Sequence, residues 1–185
     1  LTQTTNHTIT VEVKDNAGNT KQGTASKGTG TVAGLTTANT KFTAEPSGWT
    51  NGNVTVKIET DVNGYTIQTT KTPTVEASWK NTAIQEFETN GKVYARLWDG
   101  TNAGGYSVGN VTNIDKLEPI AFTPTAESTT NSIKVRASTT DAEATSDNGK
   151  SGIAGYRFRL DSGSWTGYQT SGEYTWNNLT QTTNH

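Results

Sequence analysis

The chain has 185 residues, a formal net charge of −2, and neither Cys nor Met. Its acids and bases are interspersed, leaving no basic stripe to neutralise phosphates, so nucleic acid is not expected as a partner. The lack of Cys excludes disulfides and thiolate metal sites. No stretch has the length needed to span a bilayer or the form of a signal peptide, and the absence of any initiator Met points to residues from inside a longer precursor.

Only 30% of the residues are hydrophobic, yet they fall in short alternating runs, which is the mark of strands rather than of a disordered tail. The first seven residues, LTQTTNH, recur as residues 179–185, and self-similarity at a fixed shift is the signature of a repeat array. HTITVEVKD (7–15) then places Ile9, Val11 and Val13 on one face of a strand. TKQGTASKGTG (20–30) reads as a flexible or extended linker from its Gly, Ser, Thr and Lys content. NVTVKI (53–58) aligns Val54, Val56 and Ile58, and KVYARLWD (92–99) aligns Val93, Ala95 and Leu97. TNIDKLEPIAF (112–122) is a second linker, because an Asp-Lys pair followed by Pro119 prevents one strand from running into the next. SIKVRAS (132–138) aligns Ile133, Val135 and Ala137, and YRFRLD (156–161) aligns Tyr156, Phe158 and Leu160. No helical period holds over ten or more residues, and Gly, Asn, Asp and Ser clusters bound each run, so two antiparallel sandwiches are expected.

The chain also echoes itself at half its length. Phe42-Thr43 and Asn51 correspond to Phe122-Thr123 and Asn131, and Gly64-Tyr65 followed by Trp79 corresponds to Gly155-Tyr156 followed by Trp165. The closing strands match only out of order: KVYARLWDGTNAGG (92–105) pairs with HTITVEVKDNAGN (7–19). The natural frame is therefore shifted from the numbering. Residues 1–28 are expected to close one domain, 29–116 to form a complete second one, and 117–185 to begin the next copy of the first.

FTAEPSGWTNGNVTVKI, GYTIQ and NGKVYARLWDGTNAGGYSVGNVTNIDK resemble the immunoglobulin-like repeats of large bacterial surface proteins. GYRFRLDSGSW and YTWNNLTQTTNHTITVEVKDNAGN resemble bacterial fibronectin type III-like repeats. The second resemblance implies a corner at the turn into the sixth strand, formed by Leu1, Thr5 and His7 and again by Leu179, Thr183 and His185, with His in place of the usual Tyr. Together they imply an all-β chain of two sandwiches in tandem, one split across the termini, on the outside of a bacterial cell.

Three site chemistries arise from the residues. Asp115, Asp141, Glu143 and Asp147 offer oxygen ligands for a calcium ion at a junction between β-domains, although their spacing does not match an EF-hand loop. Trp98 faces away from the Val93/Ala95/Leu97 stripe and is the sugar-stacking candidate, which would make a surface or host glycan a partner. No Asp or Glu lies within an apolar run that would raise its pKa, so no catalytic residue is named and an enzyme is not expected. The expected function is a structural repeat unit of an extracellular fibre, stalk or filament whose partners are further copies of itself. The alternatives are a head-to-tail filament subunit using strand donation, with residues 8–28 as the donated segment, and an adhesin module.

Overall fold

The computed structural model describes residues 6–28 and 31–180. These are all-β: twelve strands, a single 3-10 turn at Glu76–Ser78 and, among the described residues, no α-helix. Backbone proximity divides the chain into two units. One comprises Leu1–Ser47, Val54–Phe87 and Gly91–Val111, and the other Gly48–Asn53, Glu88–Asn90 and Thr112–His185.

The first unit contains β1 (Asn6–Lys14), β2 (Thr20–Gly28), β3 (Thr40–Glu45), β4 (Val54–Thr60), β5 (Thr66–Thr70), β6 (Lys80–Asn81), β7 (Ile84–Phe87), β8 (Gly91–Trp98) and β9 (Ser107–Val111). Apart from the β1–β2 hairpin, they form two antiparallel sheets, ordered β3-β4-β7 and β6-β5-β8-β9, consistent with a β-sandwich. The alternating residues of β4 and β8 supply the core as expected: Val54, Val56, Ile58, Val93, Ala95 and Leu97 are buried, with Phe87, Thr69 and Val111. Each fully buried Val, Ile or Leu side chain contributes about 1.5–3 kcal/mol relative to exposure. The segment carrying the buried Val32 and Leu35 is fastened by the Leu35 N–H to the Gly105 carbonyl at 2.9 Å.

The hairpin corrects the expected linker at 20–30, because residues 20–28 are a strand. The register runs without interruption from Asn6↔Gly28 to Lys14↔Thr20, and a backbone ladder of that length needs no apolar side chains on the second strand. Asp15 closes the turn by accepting from the amides of Ala17 and Asn19 at 2.9 and 2.8 Å and from the Asn19 side chain at 2.9 Å. The Asn19 bonds foremost hold the Asp15 carboxyl below its ordinary pKa. Gly18 turns the chain at φ +97°, a conformation that strains any residue with a Cβ.

Directly opposed residues share a face, so Ile9, Val11 and Val13 lie beside Ala25, Gly23 and Lys21, while Thr8, Thr10 and Glu12 lie beside Ser26, Thr24 and Gln22. Alternation in β1 predicts that the first face is buried. Instead Ile9, Val11 and Val13 are 50%, 57% and 65% exposed, and every residue from Thr8 to Ser26 is exposed.

The second unit contains β10 (Thr125–Ser128), β11 (Ile133–Arg136) and β12 (Glu173–Trp176), antiparallel in the order β10-β11-β12. Register pairs Ile133 with Trp176 and Val135 with Tyr174 on one face, and all four are half-buried. The strand expected at 156–161 is reduced to one antiparallel pairing, Tyr156 with Gln169. Its central residue is nevertheless a core residue: Phe158 is buried and stacks on Tyr174 with ring centroids 5.6 Å apart.

No strand lies within 112–122, in keeping with the break at Pro119, but the start of this segment is pinned inside the second unit. Thr50 donates to the Asn113 carbonyl at 3.0 Å and accepts from the Asp115 amide at 2.8 Å, and the intervening Ile114 is fully buried.

Candidate assembly surface

Among the described residues, one surface on each unit is left without the partner that its residues call for. The first is the apolar face of the β1–β2 hairpin. Isolated two-stranded hairpins are marginal in water, and a third strand or a packed face is what makes them stable.

The second is the outer edge of segment 155–160 in the second unit. On its inner edge, Tyr156 exchanges backbone bonds with Gln169 at 2.7 and 2.9 Å, the Phe158 amide donates to Thr166 Oγ1 at 2.9 Å, and the Phe158 carbonyl accepts from the Thr166 amide at 2.8 Å. In an extended chain alternate residues address opposite edges. The backbone groups of Arg157 and Arg159 therefore face outward, and among the described residues they pair with nothing. Their side chains are exposed, with the Arg157 guanidinium 4.6 Å from the Trp165 ring and 5.0 Å from Tyr168, and that of Arg159 4.8 Å from Trp165. Among the described residues neither guanidinium is within salt-bridge distance of a carboxylate.

Of the corner residues, Leu1, Thr5, Thr183 and His185 lie outside the described residues. His7 is a half-buried member of β1. Leu179 is half-buried and its amide donates to the Asn131 carbonyl at 2.9 Å, so the second LTQTTNH begins docked against the second unit just after β12.

The four acidic candidates divide into two pairs. Asp115 and Asp141, both buried, converge on one turn. Asp115 accepts from the amides of Ser151 at 2.8 Å and Leu117 at 3.2 Å. Asp141 accepts from the Gly152 amide at 2.5 Å and the Ser151 hydroxyl at 3.4 Å. The hydroxyl and amide of Ser151 hold the Asp115 carboxyl below its ordinary value. These carboxylates cap a turn by charge-assisted hydrogen bonds. Glu143 is instead exposed and paired with Lys150 at 2.5 Å, and Asp147 accepts from the Ser146 hydroxyl at 3.1 Å. No group of three His, Cys, Asp or Glu side chains suited to a metal ion occurs among the described residues.

Trp98 does lie on the outer face of β8, but it is half-buried, whereas Trp49 and Trp165 are 52% and 49% exposed. Its neighbour on that face is Arg96, which is 7% exposed and lies 4.2 Å from the Trp79 ring and 5.7 Å from that of Trp98. Arg96 Nε donates to Gln68 Oε1 at 2.9 Å, Nη1 donates to Glu76 Oε2 at 2.9 Å, and Nη2 donates to Glu76 Oε1. Among the described residues the buried Trp79 indole N–H has no hydrogen-bond partner, so stacking rather than its polar tip holds that ring.

Sequence reasoning identified the alternating stripe of β1 but not the open edge beside Arg157 and Arg159. Alternation of apolar residues reports which face of a strand is covered and is silent about its edges. Among the described residues no helix is long and apolar enough to cross a membrane. No family model and no curated protein sequence matches the chain.

Proposed function

We propose that the chain is a structural repeat unit of an extracellular fibre, stalk or filament at a bacterial surface, and that its partners are further copies of itself. In this reading the two units are immunoglobulin-like and fibronectin type III-like sandwiches in tandem, and the role is mechanical rather than catalytic. The observation that carries the reading is the repeated LTQTTNH: one copy leads into a hairpin with an uncovered apolar face, and the other follows the last strand of a unit with an open edge. Antiparallel ladders transmit load through their hydrogen bonds, and repeats contacting only their neighbours give an extended array.

Immunogold electron microscopy of the source cells with an antibody against this chain tests the proposal. Gold at regular intervals along filaments leaving the cell surface is the expected result. Label confined to the cell interior, or scattered without filaments, would refute it.

A further inference from the structure

We infer that the open edge of segment 155–160 takes β1 of a second copy of this chain as its next strand, which completes the second unit; the inference rests on the structural-repeat reading above. Three independent features converge on this occupant.

The first is frame. One copy of LTQTTNH runs into β1, and the other follows β12 after two intervening residues, where the Leu179 amide donates to the Asn131 carbonyl. Aligning the two copies of the heptapeptide makes the hairpin the next pair of strands after β12.

The second is surface chemistry. β1 carries Ile9, Val11 and Val13 on a single exposed face, while among the described aromatic residues of the second unit Phe158 alone is buried, with Ile133, Val135, Tyr174 and Trp176 half-buried. A strand added beside 155–160 extends the layer containing Phe158, and the apolar face of β1 then covers the open part of the opposing sheet. Backbone edge pairing supplies affinity in such additions and alternate side chains supply selectivity.

The third is charge. Arg157 and Arg159 occupy the face opposite Phe158, and the polar face of β1 holds one acid, Glu12, whose present partner is the neutral Gln22 side chain at 2.9 Å. Strand addition brings Glu12 onto the same face as the two arginines, an opposite-charge arrangement across the new pair.

The test uses the full chain. Sedimentation velocity over a range of concentrations is combined with amide hydrogen exchange, with Val11→Asp, Glu12→Arg and the triple variant Glu12→Arg/Arg157→Glu/Arg159→Glu compared with the parent. The parent is expected to associate in multiples of 19.7 kDa, with the Arg157 and Arg159 amides becoming protected as it does so. Val11→Asp should raise the apparent dissociation constant at least tenfold, as should Glu12→Arg, and the triple variant should recover most of that loss.

Val11 lies outside the core of the first unit, so a folded monomer is the expected form of Val11→Asp, verified by unchanged exchange at Val93 and Leu97. A parent chain monomeric at every concentration overturns the inference, as does a monomer whose Arg157 and Arg159 amides are already protected by its own hairpin. Association without protection at those amides overturns it too. These outcomes leave the fibre reading to be judged separately, since surface filaments of a covalent array label with gold whether or not isolated chains associate.

Discussion

Arg96 tests how the outer face of the β5–β8 sheet is held. Replacing it with Ala removes the donor to Gln68, which is 8% exposed, and an acceptor left unsatisfied at that depth costs about 1–3 kcal/mol. It also removes a guanidinium 4.2 Å from the Trp79 ring, a desolvated cation–π contact contributing about 1–2 kcal/mol. The ion pair to Glu76 adds little, because the Glu76 side chain is 72% exposed and solvent screens it. The expected loss for Arg96→Ala is therefore about 3 kcal/mol, a large fraction of the stability of a small domain.

Arg96→Lys retains the charge but loses the planar fork and its stack, so it should lose roughly half as much. Glu76→Gln should fall within error of the parent. The assay is urea unfolding followed by tryptophan fluorescence, with Trp79 reporting on the first unit. If Glu76→Gln proves as costly as Arg96→Ala, the exposed pair rather than the buried stack holds this face, and the reasoning fails.

Three further outcomes follow from the same geometry. Asp115 has a carboxyl pKa lowered in the fold by Ser151, so its contribution is present above the unfolded carboxylate range and is lost as pH falls through the lower folded value. Asp115→Asn should accordingly flatten the acid limb of the second unit's stability measured by calorimetry from pH 7 to 2. Chelation with EDTA should leave the melting curve unchanged if the hydrogen bonds that Asp115 and Asp141 accept from the 151–152 turn satisfy these carboxylates; a fall in melting temperature would support the calcium reading. A Cβ on Gly104 would sit 2.1 Å from the Ala33 carbonyl oxygen, whereas one on Gly48 meets nothing within 4 Å. Gly104→Ala should therefore cost about 1–3 kcal/mol in urea unfolding and Gly48→Ala close to nothing.

What could be read from the sequence was set by how much each element depends on apolar side chains. β4 and β8 are core strands of the first unit, so their stripes at Val54/Val56/Ile58 and Val93/Ala95/Leu97 announce them. β2 has no such stripe. Its strand conformation comes from its pairing with β1 and from the Asp15 turn, so composition alone suggested a linker. β9 was similarly quiet, because SVGNV alternates buried and exposed positions through Ser107 and Gly109.

Segment 156–160 shows the opposite case. The apolar pattern is present and Phe158 is buried, yet among the described residues only one edge of the segment is paired. The convergence of Asp115 and Asp141 on Ser151–Gly152 joins positions distant in sequence, and no spacing rule reports it. Arg96 gathers Gln68, Glu76 and Trp79 for the same reason: the sheet, not the local sequence, makes them neighbours.

The repeated heptapeptide carries the functional reading, and the mass of the native material tests it most directly. Protein extracted from the cell surface should run either as one chain far larger than 19.7 kDa in which LTQTTNH recurs, or as an open series of multiples of that mass. A single species of 19.7 kDa, monomeric at all concentrations and joined to no further copy, would contradict the account.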